Sequence, residues 1–99
     1  FRISDTGLDL AIIAAIISSG LDIALDADIC FAGEVGLSGE VRPASKTEQR
    51  VSEAARLGFR TIVVSGYART ALRNAPKGIE IIYVNRVDEL ARQVFGNRS

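Results

Sequence analysis

Three groupings of side chains in this sequence could do chemistry. Lys46 and Arg50 stand four residues apart, the spacing of one helix face, with Arg42 just upstream. Arg69 and Arg73 make a second such pair, followed by Lys77. Basic stripes of this kind neutralise phosphates and give salt-dependent, sequence-independent affinity for DNA. In the sequence no aromatic platform for stacking single strands lies among these cations. Asp22, Asp26 and Asp28 offer carboxylates to a cation. They lack the glycine and terminal glutamate of an EF-hand loop, so a solvated acidic loop is the plainer reading. Ser45 and Glu48 form an S-x-x-E pattern, a capping box worth about 0.5–2 kcal/mol to the helix that follows it.

Composition removes several other chemistries. The 99 residues contain no histidine, which excludes histidine triads, histidine general bases and nearly every transition-metal site. Cys30 is the single cysteine and sits in an apolar run, which rules out a disulfide framework and suits a reducing cytosol. No G-x-x-x-x-G-K-[ST] pattern is present. Hydrophobic residues make up 47% with few aromatics, so the core is aliphatic and the chain is not a disordered one. The longest apolar run, Leu10 to Ile17, is far shorter than the roughly 20 residues needed to span a bilayer. It also has no cationic flank of the signal-peptide type. Partners are therefore sought in solution rather than at a membrane, and a cytoplasmic location is expected. Net charge is zero but divided. Residues 1–40 hold seven acids against one base, whereas residues 41–99 hold eleven bases against five acids. Such a split suits an anion-binding face or complementary surfaces in an oligomer.

The elements that must position these residues are read from pattern. Asp5 to Ser19 is apolar on nearly every face and predicts a buried helix with Gly20 as its C-cap. An acidic connector leads to a buried strand, Ile29 to Ala32. Gly33-Glu34-Val35 and Gly39-Glu40-Val41 flank Gly36-Leu37-Ser38 as a hairpin, and Pro43 ends its second strand. From Ser45 a helix runs with Val51, Ala54, Ala55 and Leu57 on its apolar face, Gly58 at C′ and Phe59 folding back. Thr61 to Ser65 is a β-branched strand, Ala68 to Asn74 a short helix, and Ile79 to Val84 another strand. Asn85 is placed to cap a last helix, in which Val87, Leu90, Ala91, Val94 and Phe95 keep helical spacing and Gly96 closes. The order α, β, β, α, β, short α, β, α makes one α/β domain (α+β type) with helices packed on a mixed sheet.

Residues 33–59 closely resemble the segment around the catalytic lysine of Lon-type Ser-Lys proteases. The variant is most similar to the Lon-like C-terminal domain of RadA-type bacterial DNA repair proteins, whose corresponding sequence reads S-x-x-E-Q-R where this chain has Ser45 to Arg50. The resemblance extends from Asp5 to about Phe95. It implies a Lon protease C-terminal-like fold for residues 1–99 as a fragment of a longer chain. At the serine motif, Lon's D-G-P-S-A-G is replaced by a stretch whose Asp9-Leu10-Ala11 matches the RadA-like T-E-P-A-A-D-L-A, which puts Gly7 at the serine position. Ser4 and Thr6 reach that position only if this match is shifted. Glu48 stands at the lysine position, and Lys46, two residues away, would point about 200° from it on a helix. Both dyad positions are therefore degenerate, and the domain is expected to be proteolytically inactive. The rival is an active Ser-Lys protease, and a third reading is a pure oligomerisation module. The resemblance further implies upstream zinc-finger and RecA-like ATPase domains holding Zn and ATP/Mg, with no cofactor in this segment. It also implies a hexameric ring, contact with single-stranded and branched DNA during branch migration, and the recombinase RecA as a further partner.

Overall fold

A computed structural model describes residues 15, 16, 18–20, 28–73 and 75–95. Five strands and two helices are described beyond residue 28: β1 Ile29–Ala32, β2 Glu34–Val35, β3 Val41–Arg42, α1 Thr47–Arg56, β4 Thr61–Ser65, β5 Glu80–Val84 and α2 Val87–Leu90, which continues as a π-helix over Ala91–Phe95. β1, β4 and β5 form a parallel sheet in that order, with Ile29 opposite Thr61 and Thr61 opposite Glu80. β2 and β3 form a separate antiparallel hairpin, Glu34 opposite Arg42 and Val35 opposite Val41. Parallel and antiparallel pairing thus both occur, divided between two sheets instead of mixed in one. The α/β class and most strand positions agree with the sequence pattern.

β4 is the central strand, and its side chains alternate between two apolar layers because successive residues point to opposite faces. Ile62 and Val64 meet Val51 and Ala54 of α1 together with Ala68 and Leu72, while Val63 meets Val41, Val84 and Leu90 on the other face. A strand covered on both sides reads as the continuous apolar run Ile-Val-Val. β1 is only half-buried except at Ala32. Among the described residues it is an edge strand, which explains the departure from the expected buried one.

α1 ends as its sequence dictates. Gly58 takes φ 92°, its N–H donates to the Ala55 carbonyl, and the Phe59 N–H donates to the Ala54 carbonyl. That pair of bonds is a Schellman ending, and Phe59 folds back into the apolar layer. Leu57 does not join the buried face; it is exposed, whereas Thr47, Val51 and Ala54 form the inward stripe.

Three expectations need correction. The stretch from Ala68 is not an α-helix but two short 3-10 turns, Gly66–Ala68 and Thr70–Leu72, the first begun by the Ser65 hydroxyl accepting from the Tyr67 N–H. Asn85 does not cap the last helix. Glu89 reaches back to the N–H groups of Asn85 and Arg86, supplying the carboxylate half of a capping box, while the Asn85 amide lies so close to Gly66 that a side chain there would overlap it. Residues 15, 16 and 18–20 are helical, but Ala15 and Ile16 are exposed, so this part of the helix is not buried all round, and Gly20 is itself helical. The remainder of that helix, Gly96, and the connector apart from Asp28 lie outside the described residues.

The hairpin is fixed across the carboxyl end of the sheet. Both backbone groups of Val41 are used there: its N–H donates to the Asn85 carbonyl at 2.8 Å, and its carbonyl accepts from the fully buried Ser65 hydroxyl at 2.8 Å. Two substitutions test these assignments in urea unfolding. Gly58→Ala is expected to cost about 1–2 kcal/mol, the penalty of a side chain in left-handed backbone. Ser65→Ala is expected to cost about 1–3 kcal/mol by stranding the Val41 carbonyl.

Candidate functional site

In an open parallel sheet, ligand crevices lie outside the carboxyl ends of the strands, where loops and helix starts converge. Here that end gathers the hairpin after β1, the start of α1 and the turn after β4. α1 begins at Thr47, and Lys46 immediately before it has φ 56°, the single non-glycine residue with positive φ among those described. A lysine in left-handed backbone carries about 1–2 kcal/mol of strain. The expected capping box is absent as a result: no side chain caps the helix start. Instead the Thr47 hydroxyl donates to the Ala44 carbonyl at 2.6 Å, and Arg50 Nε donates to the Ser45 carbonyl at 2.8 Å.

Two open clefts flank this start. One, about 450 Å³, lies between α1 and β1, with Lys46, Gln49, Arg50 and Glu53 on its polar side and Cys30, Leu57 and Phe59 on its apolar side. The other, about 510 Å³, is bounded by Pro43, Lys46, Glu48, Gln49, Tyr67 and Ala71. Lys46 and Gln49 border both. Lys46 is exposed and has no ion-pair partner among the described residues. Burial pushes the half-buried Cys30 thiol up to about 11, so it is not a reactive thiolate at neutral pH.

Of the three cations expected to act together, Lys46 and Arg50 meet at the first cleft. Arg42 does not line either cleft; it is drawn into an ion pair with Glu40 at 2.6 Å. Glu48 is exposed in the first turn of α1. Gly7, Ser4, Thr6, Asp22 and Asp26 lie outside the described residues, and Asp28 is an exposed turn residue whose carbonyl accepts from the Arg60 and Thr61 N–H groups. In the second basic group, Arg69 sits over the Tyr83 ring at 4.0 Å. Arg73 and Lys77 are exposed. Among the described residues no three His, Cys, Asp or Glu side chains gather as a metal site.

Sequence reading missed two features. Tyr67, 72% exposed, forms a wall of the second cleft together with Lys46, from 21 residues away along the chain. Glu40 organises the hairpin tip. Its carboxylate accepts from the Ser38 hydroxyl at 2.6 Å and from Arg42, and Arg86 clamps the same tip by donating to the Ser38 carbonyl at 2.8 Å. The repeated Gly-Glu-Val pattern was the available sign that this glutamate belonged to an ordered turn.

A family model described as "Subunit ChlI of Mg-chelatase" matches residues 1–67. The chain belongs to that family. It is 44% identical to the DNA repair protein RadA of Bacillus subtilis over 95 residues, 96% of this chain and 20% of the relative. It is 39% identical to the DNA repair protein RadA of Streptococcus pneumoniae, over 95% of this chain and 22% of the relative, and equally to that of Escherichia coli, over 95% and 20%. These matches bear out the resemblance to RadA-type proteins. The chain spans about a fifth of the length of these relatives. The family description and the relatives name different activities, so membership alone assigns neither to this chain.

The hairpin network generates a pH prediction. The Ser38 hydroxyl, then Glu40's own N–H, then Arg42 hold the Glu40 carboxyl down from 4.5 to about 2. A carboxyl depressed in the folded state binds fewer protons there than in the unfolded chain. Its contribution to stability is therefore complete above 4.5 and lost as pH falls toward 2. Denaturant titrations of wild type and Glu40→Gln should differ by a constant amount at neutral pH and converge across that window. Because the pair is exposed, added salt should shrink the difference.

Proposed function

We propose that this chain is a proteolytically inactive Lon-like domain of a RadA-type DNA repair protein, acting as a scaffold that also touches the phosphate backbone of DNA. The observation that carries the DNA contact is Lys46: an exposed cation without an ion-pair partner among the described residues, presented at the carboxyl end of a parallel sheet beside Arg50. Relatives named as DNA repair proteins support the setting. Loss of proteolysis is supported by Glu48, a carboxylate at the position where the resemblance places the amine that must deprotonate a serine. The scaffold role is supported by Leu37 and Leu57, large apolar side chains left exposed and available to a neighbouring subunit in a hexameric ring. In the parent protein, upstream zinc-finger and RecA-like domains would supply Zn and ATP/Mg, and the assembly would act in the cytoplasm on single-stranded and branched DNA in concert with the recombinase RecA. No helix among the described residues is long and apolar enough to cross a membrane.

Salt titration of DNA affinity in the full-length protein tests this reading. A cation on a phosphate contributes a slope of about 0.9 in log affinity against log salt on duplex DNA. Lys46→Ala is expected to make the slope shallower by about that amount, and Arg50→Ala to change it in the same direction. Arg42→Ala should have a smaller effect, because Glu40 already offsets its charge. Unchanged slopes for Lys46→Ala and Arg50→Ala would remove the DNA role and leave a pure oligomerisation module. Casein cleavage abolished by Ser4→Ala or Thr6→Ala would overturn the inactive reading in favour of a Ser-Lys protease.

A further inference from the structure

Tyr67 stands opposite the residues on which the DNA reading rests, and its placement is not that of a stray surface aromatic. The residue lies in the turn after β4, where its N–H donates to the buried Ser65 hydroxyl at 3.1 Å. That hydroxyl is itself committed to the Val41 carbonyl, so the turn is held to the core of the sheet. Neighbouring Ala68 is buried, whereas the Tyr67 side chain remains 72% exposed. The backbone is fixed and the ring is outside.

Across the cleft are Lys46, Glu48 and Gln49 at the start of α1. The volume, about 510 Å³, falls in the range of about 300–1,000 Å³ typical of small-ligand sites. Pro43 and Ala71 add only small or rigid apolar surface between the walls. An exposed aromatic face beside a cation without an ion-pair partner is the pairing that recognises unpaired nucleotides, the ring taking a base and the ammonium a phosphate. Duplex DNA keeps its bases stacked on one another and offers no face to such a ring. Tyr67 and Lys46 stand on different walls, which separates the base from the phosphate, and Glu48 on the Lys46 wall leaves the ammonium as the charge there that attracts an anion. Gln49 and Glu48 then supply donors and an acceptor to a base edge.

We propose that this cleft binds single-stranded nucleic acid, with Tyr67 stacking on a base and Lys46 holding the adjoining phosphate. The strand continues past Lys46 into the first cleft, which Lys46 and Gln49 also border and where Arg50 provides the next cation. The proposal rests on the DNA-contact reading above and adds to it a cleft and a base-stacking residue.

The test uses the full-length protein carrying Tyr67→Ala, Tyr67→Phe or Lys46→Ala, with a labelled 20-nucleotide oligothymidine and a duplex of equal length, each across a salt series. Loss of one stacked base is expected to weaken oligothymidine binding by Tyr67→Ala about fivefold or more with the salt slope unchanged. Tyr67→Phe, which keeps the ring, should bind as wild type, and duplex affinity should not change in either variant. Lys46→Ala should weaken both ligands and make both slopes shallower. If Tyr67→Ala binds oligothymidine as wild type while Lys46→Ala is weakened, stacking is overturned and the phosphate contact stands. If neither substitution changes binding, the stacking proposal and the DNA reading fall together. An equal loss on oligothymidine and duplex from Tyr67→Ala also overturns stacking, because a base platform has no purchase on a closed duplex.

Discussion

The peptide group of Val41 ties this fold together. The hairpin that contains it has only two residues in each strand, and a two-stranded ribbon of that length is not stable alone. It persists because Val41 is bonded on both sides to the ends of the main sheet, through Asn85 after β5 and Ser65 at the end of β4. Its side chain is fully buried against Val63, Val84 and Leu90. Burial makes the two bonds obligatory, since a stranded carbonyl or N–H in that layer would cost a desolvation penalty without return. The connection from the hairpin to α1 inherits the constraint. Pro43 and Ala44 lead from Val41 and Arg42 straight to the helix start, so the position of Lys46 is set by where Val41 is anchored.

The same serine reaches the other wall of the second cleft. The Ser65 hydroxyl accepts from the Tyr67 N–H and donates its proton to the Val41 carbonyl, so one buried side chain fixes both the hairpin and the turn opposite α1. Sequence alone could not reveal this. Ser65 reads as the last residue of a β-branched strand, and nothing in the spacing indicates that Tyr67 just beyond it lines a cleft with residue 46. Contacts of long sequence separation arise only from the topology, here a parallel sheet whose carboxyl ends bring separate loops to one place.

What the sequence does reveal is local. Gly58 and Phe59 declare the end of α1 because left-handed backbone and a returning apolar residue have a fixed chemistry. Thr61 to Ser65 declares a strand through β-branched composition. The start of α1 misleads for a physical reason. A capping box needs its first residue in extended backbone directly before the helix, yet the residue directly before Thr47 is Lys46, in a left-handed turn. The hydroxyl that does the local work is that of Thr47, turned back to Ala44, and Ser45 contributes its carbonyl to Arg50 rather than its side chain to the helix. The basic stripe is also redistributed by the fold. Arg42 matches its spacing, but the hairpin gives it to Glu40.

Lys46 remains the residue whose conformation demands a reason. Asparagine or glycine would occupy left-handed backbone with less strain, and lysine is not among the residues enriched there. Strained backbone persists where the surroundings over-determine it, and it clusters where a side chain must be presented in a particular direction. In this fold the left-handed turn places Lys46 between two clefts, bordering both. If the clefts were unrelated surface hollows, relieving the strain would leave ligand binding unaffected and make the protein slightly more stable. If they form one strand path, the strained residue is its hinge. Lys46→Gly removes the ammonium together with the strain, whereas Lys46→Ala removes the ammonium and keeps the strain. A loss of affinity common to both belongs to the charge, and a further loss in Lys46→Gly beside a gain in stability belongs to the turn.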